Sequence, residues 1–254
     1  MKISFCISCK NRLWQMKNTL AHNLRIASPN HELVLVDYGS TDGLREWVWS
    51  NFQKNIESKQ LIFFRVLNAP LWSSPKAKNL AHRLATGQYL FNLDCDNFIT
   101  ESDLIMIEKA AKFNLPVQQF GGDFDDGTYG RIGLPKALFY KLGGYDESLL
   151  PMGAQDTDIL NRILLSGSKI GKMPNPNKLP ITNSAQDKVS EVANNSPDPK
   201  KTYETMNRLN LRLSKYKITH YGFERPNQFS SYHGYLNGQL ICIDGFNFIR
   251  QIKG

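Results

Sequence analysis

Over the first 115 residues, apolar and polar positions alternate between two periods. Short apolar runs occupy residues 2–8, 32–36, 61–66 and 88–93. Between them apolar residues recur at helical spacing, as Leu13, Met16, Leu20 and Leu24 do over 12–26. The pattern predicts helices over 12–26, 42–56, 76–86 and 101–113, with Ser40 or Thr41 capping the second and Gly87 closing the third. Strands alternating with helices at this spacing predict an α/β fold: a doubly wound, mostly parallel sheet with helices on both faces.

Beyond residue 114 the pattern changes. Gly121-Gly122-Asp123-Phe124-Asp125-Asp126-Gly127 is an acidic turn cluster expected in a hairpin, and 135–142 a short helix broken by Gly143-Gly144-Tyr145-Asp146. Residues 156–166 carry Ile159, Leu160, Ile163 and Leu164 on a helical stripe. The stretch 173–200, rich in Pro, Asn and Ser, reads as loop, 201–215 as a basic helix, and the final 35 residues as short strands. The chain thus divides at 1–115, 116–217 and 218–254, the last part packed on the same domain.

Hydrophobic residues make up 41% and aromatic residues 11%, enough for a packed core, which excludes global disorder. No run approaches the length of a membrane span, and Met1–Ser8 reads as a first strand rather than a leader. A cytoplasmic protein is expected, with peripheral membrane contact as an open alternative. Cys6, Cys9, Cys95 and Cys242 are scattered, and Cys6-x-x-Cys9 lacks a partner pair, so free thiols are expected. The formal charge is +8, and much of the surplus is local: Lys200, Lys201, Arg208, Arg212, Lys215 and Lys217 face only Glu204. That stripe could serve nucleic acid, an anionic membrane surface or a phosphate-bearing substrate, or be a plain solvated helix face. No motif points to nucleic acid.

Two acidic clusters carry candidate chemistry. Asp94-Cys95-Asp96-Asn97 follows the apolar run at 88–93, so its carboxylates fall at the sheet edge where open α/β sheets bind ligands. Spaced i, i+2, they would point one way on a strand pleat and suit a hard cation such as Mn2+ or Mg2+; a plain turn and helix cap uses the same residues. Asp156, in Gly153-Ala154-Gln155-Asp156-Thr157-Asp158, falls at the start of the 156–166 helix. There it is either a cap or a general base.

The blocks in order are Ser8-Cys9-Lys10-Asn11-Arg12, Val36-Asp37 through Asp42, Lys76-Ala77-Lys78-Asn79 with Ala85 through Leu90, and Asp94-Cys95-Asp96. Together they resemble nucleotide-sugar glycosyltransferases of the GT-A fold, especially the inverting family two. Leu142 through Asp146 and Gly153 through Arg162 resemble the C-terminal module of β-1,4-galactosyltransferases. The resemblance implies a Rossmann-like GT-A sheet with a C-terminal, acceptor-side extension. It also implies transfer of galactose or N-acetylgalactosamine from a UDP-sugar to a glycan or lipid-linked acceptor, with inversion. Ser8, Cys9, Lys10, Arg12, Asp37, Lys78, Asn79, Asp94, Cys95 and Asp96 would bind donor, Asp37 at the base. Asp94 and Asp96 would hold the metal, Asp156 would be the base, and Met152, Gly153 and Gln155 would meet the acceptor. Asp158, Asn161 and Arg162 match a supporting continuation of that motif.

Three positions depart from the family pattern. Gln155 replaces an acidic residue, Met152 replaces a sugar-stacking aromatic, and no histidine stands near Thr182-Asn183-Ser184 to complete the metal shell. Asn183 offers a carbonyl oxygen there, and His220 or His233 would have to fold back. These departures keep a non-catalytic nucleotide- or sugar-binding protein as the alternative. A nucleotidyltransferase would need a Gly-rich basic loop after the first strand, which this chain lacks.

Overall fold

Alternate residues of each central strand enter opposite cores, which is why these strands read as continuous apolar runs. A computed structural model describes residues 1–251 apart from 28, 68, 70, 125, 194, 226–228 and 246–248. Its elements are β1 (Ile3–Cys9), α1 (Leu13–Ala27), β2 (Glu32–Asp37), α2 (Leu44–Glu57), β3 (Leu61–Val66), α3 (Ser74–Leu84), β4 (Tyr89–Asn92) and α4 (Glu101–Lys112). There follow β5 (Val117–Gln118), β6 (Ile132–Pro135), α5 (Lys136–Leu142), α6 (Gln155–Leu165), β7 (Gly171–Lys172), α7 (Ala185–Val189), α8 (Pro199–Tyr221), β8 (Tyr232–Leu236), β9 (Gln239–Ile243) and β10 (Ile249–Gln251). Phe5, Leu33, Leu35, Phe63 and Phe91 face one core with Met16, Leu20, Val48 and Ile107 of the helices. Cys6, Val34, Val36, Ile62, Phe64 and Leu90 face the other, with Leu80 and Leu84 of α3 and Ile159 and Ile163 of α6.

The sheet runs β10-β9-β8-β3-β2-β1-β4-β6-β5-β7. Its centre, β3-β2-β1-β4, is parallel as the pattern predicts. Antiparallel strands flank it: β6 on β4, and β8 on β3. The order reverses direction between β1 and β4, so a crevice opens past their carboxyl ends, the place where such sheets bind ligands. The acidic run 121–127 lies in the connection between antiparallel β5 and β6, with Asp125 outside the described residues.

Some predicted ends move for identifiable reasons. Neither Ser40 nor Thr41 caps α2. Its N-cap is Gly43 at φ 86°, and Asp42 accepts from the Leu44 N–H. Ser40 instead accepts from the Asn11 N–H and ties the loop after β1 to the loop after β2. Helix α3 starts at Ser74, with Pro75 in its first turn, and stops where Ala85 turns extended. Gly87 serves close approach rather than a helix stop: a Cβ there would come within 2.6 Å of Ser4 Oγ and 2.7 Å of Lys2 O. The basic helix is longer than predicted, and the loop 173–200 contains α7.

Helix α8 is tied to the body by Asp146, which accepts from Lys217 Nζ (2.9 Å) and Arg225 Nε (2.8 Å). Lys217 is therefore a structural ion-pair partner rather than part of the basic surface. Burial pushes the Asp146 carboxyl up, but hydrogen bonds from Ser148, Lys217 and Arg225 outweigh it and bring it down to about 2. A depressed carboxyl stabilises the fold above its unfolded value near 3.8, and the contribution is lost as pH falls toward 2. The shift corresponds to about 2 kcal/mol. Wild-type protein is thus expected to lose stability across this window in urea unfolding, and Asp146→Asn to show a flatter profile there. An equally steep variant would assign the acid lability to other groups.

Candidate active site

The segment after β4 is built as a turn held from two sides. Asn97 N–H donates to Asp94 O (2.9 Å), so the strand ends at Asn92 and the two carboxylates sit on the turn instead of a strand pleat. Helix α1 grips this turn with three buried polar residues one turn apart. Gln15 accepts from Cys95 Sγ (3.2 Å), Thr19 Oγ1 donates to Cys95 O (2.8 Å), and Asn23 pairs with Asn97 O and Ile99 N–H. Opposite, buried Arg131 donates to Phe98 O (2.6 Å) and Asn97 Oδ1 (3.2 Å). Burial lowers the Arg131 guanidinium to about 10 against the opposing pull of Asp103, Asp94 and Asp96.

A cavity of about 660 Å³ opens at the crevice and is lined by Ser8, Cys9, Lys10, Arg12, Lys78, Asp94, Cys95, Asp96, Met152, Gln155, Asp156 and Asn183. Three expected site residues lie outside its lining. Asn79 is buried and clamps the loop after α5, through Tyr145 O (2.9 Å), Tyr145 N–H (2.8 Å) and Glu147 (2.9 Å). Gly153, at φ 86°, lets α8 close on the loop before α6, because a Cβ would meet Asn207 Cα at 2.8 Å. Asp37 is buried beside Cys9; its Oδ1 accepts from Ser40 N–H (2.7 Å), while its Oδ2 has no partner among the described residues. Burial pushes the Asp37 carboxyl up, against Ser40 and Arg65.

Lys78 joins the two acidic clusters. Its ammonium, 3% exposed, lies 2.8 Å from Asp156 Oδ1 and 3.4 Å from Asp94 Oδ1. Burial works against the ammonium, but Asp156 and Asp94 outweigh it and hold its proton more tightly than in water. Burial raises the Asp156 carboxyl, opposed mainly by Lys78. Asp156 stands in the first turn of α6, where the helix dipole favours an anion, and Gln155 Nε2 approaches its Oδ2 at 3.3 Å.

Gly130 is the floor beneath this trio. A Cβ there would lie 2.9 Å from Asp94 Oδ2, 3.1 Å from Asp156 Oδ2 and 3.3 Å from Lys78 Nζ. All three atoms are side-chain ends, so Gly130→Ala is expected to leave the melting temperature within a few degrees. Activity should fall at least tenfold, because displacements of about 1 Å at a reacting centre are that costly. Unchanged turnover in the variant would show that the trio's spacing is unimportant.

Asp94, Asp96 and Asn183 are the residues expected from sequence to hold a cation. Burial raises Asp96 to about 6, the neighbouring Asp94 adds to this, and hydrogen bonds from Asn97 and Asn183 oppose it. The two carboxylates are hard oxygen donors that suit a divalent cation, but the carbonyl oxygen expected of Asn183 is not presented to them, because Gln15 Nε2 holds it. Asn183 reaches Asp96 through its Nδ2 and accepts from Gln15 at 2.6 Å. Among the described residues no three His, Cys, Asp or Glu side chains cluster as a metal site. His220 stacks on Tyr216 along α8, and His233 borders a separate pocket with Tyr38 and Lys76. Neither lines the main cavity.

Residues 4–152, more than half of the chain, match the model described as glycosyl transferase family 2. The chain belongs to glycosyl transferase family 2. The match stops just before Gln155-Asp156. Among solved structures, the mannosyltransferase PcManGT from Pyrobaculum calidifontis, in complex with GDP-Man and Mn2+, is 18% identical, with a TM-score of 0.57 over 85% of this chain and 74% of that one. S. aureus TarS 1–349 in complex with UDP-GlcNAc is 18% identical, with a TM-score of 0.62 over 87% and 67%. At these identities the likeness establishes the GT-A fold. No curated protein matches the sequence.

Several lining residues of this family 2 site were not anticipated from sequence: Gln15, Trp72, Phe124, Tyr129, Tyr203 and Asn207. The signal for Gln15 lies in the sequence, since Gln15, Thr19 and Asn23 form a polar stripe at i, i+4 and i+8 of an otherwise amphipathic helix. The others come from loops or from a neighbouring helix and carry no local pattern.

Proposed function

We propose that the chain is an inverting, divalent-cation-dependent glycosyltransferase that moves a sugar from a UDP-sugar to a glycan or lipid-linked acceptor, with Asp156 as general base. The observation that carries this reading is the Lys78 bridge, which brings Asp156 and Asp94 together at one cavity. Asp94 and Asp96 would hold Mn2+ or Mg2+, joined by Asn183 once its amide turned its oxygen toward them, and the ion would supply charge stabilisation for the departing diphosphate. Ser8, Cys9, Lys10, Arg12 and Lys78 would line the donor, with Cys95 between the acidic pair. Asp156 takes the proton of the acceptor hydroxyl as its oxygen bonds to the anomeric carbon and the bond to the diphosphate breaks on the opposite face. One displacement converts an α-linked donor into a β-glycoside.

The likeness of Leu142 to Asp146 and Gly153 to Arg162 to β-1,4-galactosyltransferases supports galactose or N-acetylgalactosamine as the sugar. Proton NMR of product formed from each UDP-sugar with manganese tests the reading. A β-anomeric product supports it; an α-anomeric product would contradict a single displacement. No described helix is long and apolar enough to cross a membrane. Lys201, Arg208, Arg212 and Lys215 are exposed along α8 beside Leu209 and Tyr216, a face suited to an anionic lipid surface. Sedimentation with vesicles should rise with phosphatidylglycerol content; indifference to that content would remove the membrane contact.

A further inference from the structure

The cavity wall around Asp156 carries a second chemistry. Phe124 is 71% exposed at the rim, and its ring meets Tyr129 at 5.0 Å with a tilt of 41°. Tyr129 is in turn fixed to the first turn of α6, where Thr157 Oγ1 donates to its hydroxyl at 3.3 Å. An aromatic wall is thereby tied to the residue after Asp156. Trp72 lines the same cavity with its N–H already given to Met152 Sδ (2.9 Å), so it too offers apolar surface. An exposed aromatic face is costly in water and suits the C–H face of a sugar ring.

Gln155 adds the polar element. It is more than nine-tenths buried and lines the cavity, and its Nε2 is directed at Asp156. Its Oε1 has no hydrogen-bond partner among the described residues. A buried carbonyl oxygen in that position costs stability unless a ligand donates to it. A negative charge on the ligand would meet Asp156 and Asp94, whose shared cation Lys78 is already engaged by both.

Resting on the glycosyltransferase reading, we propose that the acceptor is an uncharged sugar ring stacked on Phe124 and Tyr129, with an O–H or N–H beside the attacked hydroxyl that donates to Gln155 Oε1. The Gln155 amide and the Phe124–Tyr129 wall together set which acceptors fit.

The test is saturation-transfer NMR and titration with methyl glycosides of glucose, N-acetylglucosamine and glucuronic acid, in the presence of UDP and Mn2+. The neutral glycosides should bind at least tenfold more tightly than the glucuronide. Phe124→Ala should weaken neutral binding about tenfold. Gln155→Leu should weaken it similarly and remove the difference between a glycoside and its monodeoxy analogue at the neighbouring position, which separates hydroxyl from amide donors. The melting temperature of the leucine variant, read in the same samples, separates lost binding from lost folding. Equal binding of the glucuronide, no binding of the neutral glycosides, or neutral binding unchanged by Phe124→Ala and Gln155→Leu would overturn the proposal. UDP binding is read by thermal shift in the same samples. Its loss in wild type would defeat the glycosyltransferase reading, whereas its retention with unresponsive glycosides defeats only the acceptor assignment.

Discussion

Asp156→Asn is expected to lower transfer about 10³-fold, within the range found when a positioned general base is removed. Donor binding should persist, because Asp94, Asp96 and the segment Ser8–Arg12 are untouched. The fold should persist as well: Asn keeps the shape, and Lys78 retains Asp94 as a partner at 3.4 Å. Turnover and donor affinity must therefore separate in this variant. Steady-state release of UDP beside a donor titration checks this. A variant that keeps wild-type turnover removes Asp156 from the chemistry.

Asp158→Ala is expected to act on stability instead. Two residues along the same helix, Asp158 is fully buried and accepts from Arg162 Nε (2.7 Å) and Ser214 Oγ (2.7 Å), with Arg225 at 3.6 Å. Arg162 in turn donates to Leu142 O and Gly144 O, so the network fixes the loop after α5 against α6 and α8. Removing the carboxylate leaves two buried guanidinium groups with less compensation, which typically costs 3–5 kcal/mol, or roughly 10 °C in melting temperature for a chain of this size. Calorimetry checks it, and a shift under 2 °C would show that the network contributes little. On the proposed mechanism, Asp156 and Asp158 divide one acidic motif into a chemical and a structural carboxylate. The i, i+2 spacing sends them to different sides of the helix.

Much of this architecture is legible in the sequence. The parallel centre is readable because its strands are buried on both faces, which leaves unbroken apolar runs such as Leu33-Val34-Leu35-Val36. The edge strands β8 to β10 read as short strands, but their addition to β3 is decided by tertiary pairing: Gly234 fits only because a bare Cα can approach Arg65 O. Asp94, Asp96 and Asp156 stand out because carboxylates interrupt apolar patterns at element ends. The Lys78 bridge does not stand out, since it joins residues 78, 94 and 156 through space. The motif around Asn79 implies a donor contact, yet the turn of α3 that aims Lys78 at the cavity sends Asn79 toward Tyr145. Phe124 and Trp72 lie in loops, where no periodicity marks the side that faces a ligand.

The central claim is that Asp94 and Asp96 hold a nucleotide sugar through a cation while Asp156 does chemistry on the other side of Lys78. Thermal shift of wild type, Asp96→Ala and Asp156→Asn against a panel of nucleotide sugars, with and without manganese, addresses it most directly. The account predicts manganese-dependent stabilisation by one class of donor, lost in Asp96→Ala and kept in Asp156→Asn. Stabilisation by no nucleotide sugar, or stabilisation that survives Asp96→Ala, would contradict it.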